Sequence, residues 1–241
     1  MAFFKNKKVA LVTGTSRGIG YAISKKLFEL GYYTIGTSTS GQMDDGKHVD
    51  EIWAVDFNDM QSTKAFIERV QKLKKIDVLV NNAGINIIKK QETITVEDYS
   101  KIENINLRMP FFLSAAIANI MAEAGGGRIV NIASIWSVVT KENRTLYSTM
   151  KSGLHGLTRS MAVEWAPKSI LINTISPGFV NTDLTKQSLS ETEITALVQK
   201  IPLNRMAETH EIAELVAFLA GDSNTYLTGQ NIVIDGGFSI V

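Results

Sequence analysis

Apolar residues recur along this chain with two alternating periods. Short apolar runs at 9–13, 32–37, 52–55, 76–80, 128–133, 170–175 and 231–235 read as strands buried on both faces. Between them the spacing turns helical. Ile19, Ile23, Leu27 and Leu30 form one stripe, closed by Gly31 as a C′ residue. Further helices are expected over 62–73, from 96 to about 124, and from 146 to about 165, where Pro167 ends the pattern. Ser190 and Glu193 have capping-box spacing before Ile194, Leu197, Val198 and Ile201, a short helix that reads as a lid or a surface helix. Thr209 is the expected N-cap of a last helix carrying Ile212, Leu215, Val216 and Leu219, with Gly221 beyond. Strand and helix alternate without repeat, low-complexity tract or linker. That pattern implies an α/β fold: one domain over residues 1–241, with a parallel sheet, right-handed crossovers and helices on both faces.

In an open parallel sheet, ligands bind beyond the carboxyl ends of the strands. Four polar features follow strand ends here: Gly14-x-x-x-Gly18-x-Gly20, Asn81-Asn82-Ala83-Gly84, Ser134, and Pro177-Gly178. A glycine turn between a strand and a helix N-terminus lets backbone approach a pyrophosphate, and the helix dipole favours its charge. The plainer alternative is an ordinary tight turn. The second strand runs into Thr37-Ser38-Thr39-Ser40, with no carboxylate to hold a ribose hydroxyl. Arg17, inside the turn, is placed to meet a 2′-phosphate. Together these point to NADP(H) over NAD(H); otherwise Arg17 is a solvated loop residue. Asn106 sits inside a helical stretch where asparagine is a poor helix former.

The stretch 134–151 carries the candidate chemistry. Tyr147 and Lys151 are one helical turn apart, and Ser134 lies upstream at a strand end. A phenol, an ammonium and a hydroxyl brought together can protonate a carbonyl oxygen. With 6 tyrosines in the chain, about 0.4 such Tyr-x-x-x-Lys pairs arise by chance, and Tyr21 with Lys25 has the same spacing. Only Tyr147 has the serine and the strand end. Composition narrows the picture. A net charge of +1 offers no basis for nucleic-acid or membrane-surface binding, and the absence of cysteine excludes disulfides and thiolate metal sites. No metal is expected: His48, His155 and His210 lack ligand spacing, and His155 reads as a packed helix residue. The opening Met-Ala-Phe-Phe run is too short for a signal peptide, and no uninterrupted apolar run approaches a membrane span, so a cytoplasmic protein is expected.

With Thr13-Gly-Thr-Ser-Arg-Gly-Ile-Gly20, Asn81-Asn-Ala-Gly84, Asn106, Ser134, Tyr147-x-x-x-Lys151, Pro177-Gly178 and Thr182 in order and register, the chain resembles the short-chain dehydrogenase/reductase family across nearly its whole length. Within it, Ile35-Gly-Thr-Ser-Thr-Ser40, Ser176-Pro-Gly-Phe-Val180 and Tyr226-Leu-Thr-Gly-Gln with Asp235-Gly-Gly are most similar to bacterial 3-oxoacyl-acyl-carrier-protein reductases. The resemblance implies a Rossmann-type, doubly wound, seven-stranded sheet. It implies that Gly14, Arg17, Gly18, Ile19 and Gly20 hold the pyrophosphate side of NADP(H), with Thr39 and Ser40 near the 2′-phosphate and Asp56 and Phe57 near the adenine. Asn82, Ala83 and Gly84 would flank a ribose, and Ile132, Pro177, Gly178 and Thr182 would border the nicotinamide. Tyr147 and Lys151 also touch the cofactor. Asn106, Ser134, Tyr147 and Lys151 would form the catalytic set, and the assembly would be a tetramer built through the long helices and the last strand.

By that resemblance Tyr147 acts as general acid, Ser134 donates to the developing oxyanion, and Asn106 holds a water linking Lys151 to solvent. Lys151 and the oxidised nicotinamide would bring the Tyr147 pKa to roughly 7–9. The substrate side departs from the carrier-protein reductases. Ala124-Gly-Gly-Gly127 leaves only Arg128 where they carry a basic residue, and the segment after Ser134 holds Trp136, Lys141, Glu142 and Arg144 where they are small and glycine-rich. Ser134, Trp136, Arg144 and Tyr147 are the candidate substrate contacts. The leading expectation is NADPH-dependent reduction of a 3-oxoacyl thioester, with acyl carrier protein as a candidate partner. A polar or sugar-derived ketone is the alternative substrate. A silent nucleotide-binding regulator is the alternative of another class, and the complete set of four residues weighs against it.

Overall fold

The computed structural model describes residues 7–43, 48–182, 185 and 190–241. The opening apolar run lies in residues 1–6, outside that range. Seven strands form one sheet: β1 (Val9–Val12), β2 (Tyr33–Ser38), β3 (Glu51–Ala54), β4 (Val78–Asn81), β5 (Gly127–Ile132), β6 (Ile170–Pro177) and β7 (Asn231–Ile234). All neighbouring pairs are parallel, in the order β3-β2-β1-β4-β5-β6-β7. The helices between them are α1 (Gly18–Glu29), α2 (Met60–Gln71), α3 (Val96–Glu103), α4 (Met109–Glu123), α5 (Thr145–Trp165), α6 (Glu191–Val198) and α7 (Thr209–Ala220).

The period of two in the strands divides the core between the faces of the sheet. Val9 and Leu11 of β1, with Leu79 of β4, pack into one cluster alongside Val70 of α2, Leu113 and Ile117 of α4 and Met161 of α5. Ala10 and Val12, with Val78 and Val80, face the other way against Ile23 and Leu27 of α1 and Val216 and Leu219 of α7. Continuous apolar runs are needed because both faces are covered. Polar residues inside the sheet are paired: Asn81 Nδ2 donates to Asn131 Oδ1 (2.7 Å) and Ser114 Oγ (2.9 Å), and Asn131 Nδ2 donates to Thr158 Oγ1 (2.8 Å).

Several boundaries differ from the sequence expectation for local reasons. Asp59 caps α2 by accepting from the Gln61 and Ser62 amides, so the helix starts at Met60, ahead of Ser62. Glu208 is the N-cap of α7 and forms a reciprocal box with Glu211; Thr209 is already helical. The expected single helix from residue 96 is continuous only because a π-helical turn, Asn104–Arg108, joins α3 to α4. By length and composition Val96–Glu123 could cross a membrane, contrary to the count of uninterrupted apolar residues, yet Leu113, Ile117 and Met121 are fully buried in the core. Its apolar character serves the sheet face it covers.

The strand order places a switch point between β1 and β4: successive connections run outward from β1 to β3 and from β4 to β7 in opposite directions. A crevice opens at the carboxyl ends of these two strands.

Candidate active site

A cavity of about 760 Å³ runs along this edge of the sheet. One end is built from the turn after β1. Thr13 Oγ1 accepts from the Asn82 and Ala83 amides (both 3.0 Å), and Asn82 Nδ2 donates to the carbonyls of Thr13 (2.9 Å) and Gly14 (3.0 Å). On the other side Gly14 N donates to Thr37 Oγ1 (3.1 Å) and Thr15 N to Thr37 O (2.8 Å). The turn is thus clamped between the ends of β2 and β4. Gly14 has φ +72°, and a Cβ on Gly20 would stand 2.0 Å from the Gly14 carbonyl oxygen, so only glycine fits. Arg17 is the N-cap of α1, with no side-chain cap and no acid in the first turn. The first amides of α1 therefore remain available to an anion. Thr182 crosses over the turn: a Cβ on Gly18 would meet its Cγ2 at 3.7 Å.

Beyond the turn, Thr37, Ser38 and Thr39 line the wall with Asp56 and Phe57. Phe57 stacks edge-on against Phe66 (5.7 Å), and Asp56 accepts from Asn58 N (2.8 Å). No carboxylate stands at the end of β2. Ser40 is exposed and off this wall, its Oγ accepting from Gln42 N (3.3 Å).

The middle of the cavity brings the 134–151 stretch against the same wall. Ser134 follows β5 and caps the short turn Ile135–Ser137, its Oγ accepting from Trp136 N (3.3 Å). Tyr147 lies in the first turn of α5 and Lys151 one turn on, with its Nζ 5.8 Å from the phenol ring centre. Lys151 is 4% exposed, and its Nζ donates to Ile132 O (2.7 Å). Burial without a carboxylate partner drops its pKa to about 8. Burial also raises the Tyr147 pKa, against the opposing pull of the Ser134 hydroxyl and the Arg144 guanidinium. The expected lowering invoked the charge of a bound oxidised nicotinamide; in the protein alone the direction is upward. Within the protein the loss of hydration outweighs the nearby positive charge, and the Lys151 ammonium is aimed at a carbonyl.

Asn106 does not reach the cavity wall. It is fully buried in the π turn, and its amide is committed to Ile85: Ile85 N donates to Oδ1 (2.9 Å) and Nδ2 donates to Ile85 O (2.8 Å). A side chain on Gly84 would touch both Lys151 Nζ (3.4 Å) and Asn106 Oδ1 (3.5 Å). Asn106 therefore holds the 82–85 segment against Lys151 from behind. A π turn spends an extra residue to re-aim side chains, which is where asparagine's poor helix propensity is tolerated.

Ile132, Pro177, Gly178 and Thr182 complete this middle region. His155 is more than a packing residue. Its Nε2 lies 3.1 Å from Ser137 Oγ and 3.3 Å from Ser176 Oγ, Ser137 Oγ donates to the Ser134 carbonyl, and Ser176 Oγ donates to Asn231 Oδ1 (2.7 Å). Burial holds its pKa below the usual histidine value. Its spacing of four from Lys151 on α5 was the available signal.

The far end of the cavity is built from side chains. Trp136 stacks edge-on against Phe179 (5.9 Å), which stacks on Phe238 (5.1 Å). Arg144 Cζ lies 5.3 Å and Lys141 Nζ 5.4 Å from the Trp136 ring centre. Glu193 and Leu197 of α6, with Lys200 just beyond it, form the outer wall. Phe179 and Lys200 were not distinguished in the sequence, because nothing local marks a residue of a distant segment as facing Tyr147.

Known proteins resemble this chain over nearly its whole length. A family model described as enoyl-(acyl carrier protein) reductase matches residues 14–239. A 3-oxoacyl-(acyl-carrier-protein) reductase from Pseudomonas aeruginosa is 37% identical over 240 residues, covering 95% of this chain and 96% of the relative. The reductase of the same name from Vibrio cholerae is 36% identical, covering 97% and 98%. Among solved structures, a protein provisionally assigned as an NAD(P)-dependent gluconate 5-dehydrogenase from Beutenbergia cavernae, with NADP bound at low occupancy, superposes with TM-score 0.89 at 30% identity, covering 96% of each chain. A short-chain dehydrogenase/reductase double mutant from Serratia marcescens gives TM-score 0.86 at 33% identity, covering 96% of this chain and 98% of that one. The chain belongs to the short-chain dehydrogenase/reductase family of nicotinamide-dependent oxidoreductases.

Proposed function

We propose that this oxidoreductase uses NADPH to reduce a carbonyl to an alcohol, and that its substrate is a 3-oxoacyl thioester like those named for its bacterial relatives. The observation that carries the reading is that Ser134, Tyr147 and Lys151 line the same cavity as the glycine turn. The turn fits a dinucleotide: its glycines leave no room for side chains where a pyrophosphate must approach, and the amides of α1 lack an acidic cap. Gly14, Gly18, Ile19 and Gly20 hold the pyrophosphate. Arg17 and Thr39 receive the 2′-phosphate, Asp56 and Phe57 border the adenine, and residues 82–84 border a ribose. Ile132, Pro177, Gly178 and Thr182 enclose the nicotinamide, which supplies the hydride when bound.

Tyr147 delivers the proton to the substrate oxygen. Its raised pKa keeps the phenol protonated at neutral pH, which favours the acid role. Ser134 Oγ–H donates to the same oxygen as negative charge develops there. Lys151, with a pKa of about 8, is still mostly charged at neutral pH and favours the phenolate left behind. Asn106 keeps the 82–85 segment in contact with Lys151. Exposed Phe111 and Phe112 on α4 and Val163 on α5 support a tetramer joined through these helices, which a light-scattering mass would test.

Following NADPH absorbance with acetoacetyl thioesters and with a panel of polar ketones tests the reading. Turnover of the thioester supports it; no NADPH consumption with any carbonyl overturns it. A polar, anionic ketone is the second reading, favoured by the two cations that flank Trp136.

A further inference from the structure

The cavity's far end carries an electrostatic imbalance beyond the pull of Arg144 on Tyr147. Lys141, Arg144 and Lys200 all line it, and among the described residues the one carboxylate beside them is Glu193. Glu193 Oε2 accepts from Ser190 N and Ser190 Oγ at 2.8 Å each in the cap of α6, and of the three cations it feels only Lys141, electrostatically and without an ion pair. Among the described residues, none of the three cations forms an ion pair. Two of them are drawn to the same ring: Arg144 Cζ at 5.3 Å and Lys141 Nζ at 5.4 Å from the centre of Trp136. One aromatic face offers each cation a modest attraction, while the two positive charges repel each other. Arg144 Nε is buried with no hydrogen-bond partner. A buried donor left without an acceptor is costly, and guanidinium is the group best suited to receive a planar or tetrahedral oxyanion.

We infer that Arg144 and Lys141, seated on Trp136, form an oxyanion-binding subsite that anchors the far end of the substrate while its carbonyl lies at Ser134 and Tyr147. This rests on the carbonyl-reductase reading above and specifies the class of substrate: a ketone carrying a carboxylate or phosphate. The oxyanion has two possible sources, the carboxylate of a free oxo acid or the phosphate on the pantetheine arm of an acyl carrier.

Two matched pairs separate these sources. Acetoacetate and methyl acetoacetate differ by the carboxylate charge; acetoacetyl-phosphopantetheine and acetoacetyl-pantetheine differ by the phosphate. The native enzyme prefers the charged member of at least one pair, and that pair identifies the source. In Arg144→Gln the charged-to-neutral ratio of kcat/KM falls about 10- to 100-fold, the range for losing a hydrogen bond to a charged group, and Arg144→Lys restores part of it. A ratio unchanged by Arg144→Gln in both pairs, or no preference in the native enzyme, overturns the subsite. Tryptophan fluorescence titrated with inorganic phosphate and with acetoacetate supplies a readout independent of turnover, with Trp136→Phe assigning the signal among the 3 tryptophans. Native binding weakened about tenfold in Arg144→Gln supports the subsite. Anion binding without reduction of any ketone leaves the subsite standing and defeats the reductase reading. Reduction with no dependence of binding on Arg144 does the reverse.

Discussion

The two ends of the cavity are built from different materials. At the glycine turn the wall is main chain. Carbonyls and amides of residues 13–15 are clamped by Thr37 and Asn82, and a single Cβ on Gly20 would come within 2.0 Å of backbone oxygen. At the far end the wall is side chain: Trp136, Lys141, Arg144, Phe179 and Lys200, drawn from separated segments. A backbone wall tolerates no change in shape and suits a ligand part common to many enzymes. A side-chain wall can be recut one residue at a time, which suits a ligand part that differs between enzymes. Between the two stand Lys151, buried with no carboxylate partner, and Tyr147, half-buried beside the Ser134 hydroxyl, as expected of groups placed for reactivity over stability.

Breaking the middle has the largest expected effect. Tyr147→Phe removes the proton donor while leaving both ends intact, so kcat should fall by about 10³-fold, within the 10²–10⁴ range for general acid catalysis. NADPH titration of the variant should remain close to native; near-normal turnover would remove Tyr147 from the chemistry. Breaking the rigid end comes next. Gly20→Ala forces a methyl group onto the Gly14 carbonyl and should destabilise the fold by about 2–3 kcal/mol, with weaker NADPH binding, as overpacked sites do. Thermal melts with and without NADPH check this. An alanine variant with native Tm and affinity would mean the turn is less tight than its geometry.

Lys151→Met probes the burial cost in the middle. The folded pKa of about 8 lies below the ordinary 10.5. Below pH 8 lysine is charged in both states, and the folded state carries the full penalty. Between about 8 and 10.5 the unfolded chain binds more protons, so native stability rises with pH; above that range the penalty is gone. The methionine variant should therefore be inactive yet more stable near pH 7 by about 2 kcal/mol, after allowing for the lost bond to Ile132 O. Its advantage should shrink as pH rises through 8. Urea unfolding at several pH values reads this directly, and a variant less stable than native at pH 7 would contradict it. The smallest effect is expected at Arg17→Ala, which should reduce the NADPH-over-NADH preference in kcat/KM about tenfold by removing one charge-assisted contact to the 2′-phosphate. An unchanged preference would return Arg17 to a solvated loop role.

Much of the site was legible before any coordinates. The residues at 14–20, 82–84, 134, 147 and 151 occur at fixed distances from strand ends, and a parallel sheet carries every strand end to one edge. What escaped sequence reading shares a different physical cause. The Asn106 amide faces Ile85 and not the cavity, because the helix widens into a π turn that no periodicity in the sequence announces. In the protein alone burial raises Tyr147, because burial depends on what covers the ring, which no spacing in the sequence shows. His155 joined the network behind Ser134 through Ser137 and Ser176, which meet only when β6 packs beside α5.

Sequence by itself determined the order of strands and helices, the turn that must be glycine and the face shared by Tyr147 and Lys151. These are set by local backbone sterics and by periods of two and 3.6 residues, which act over a few neighbours. Tertiary structure alone decided which charges go unpaired. Arg144 stood out in the sequence as a candidate substrate contact, but nothing there brought Lys200 to the same place. Arg144 Nε is buried without a partner, and Lys141, Arg144 and Lys200 converge on one end of the cavity from separated segments, a placement that only the packed fold produces. Hydration and pairing are properties of the whole packed surround, and no local pattern encodes them.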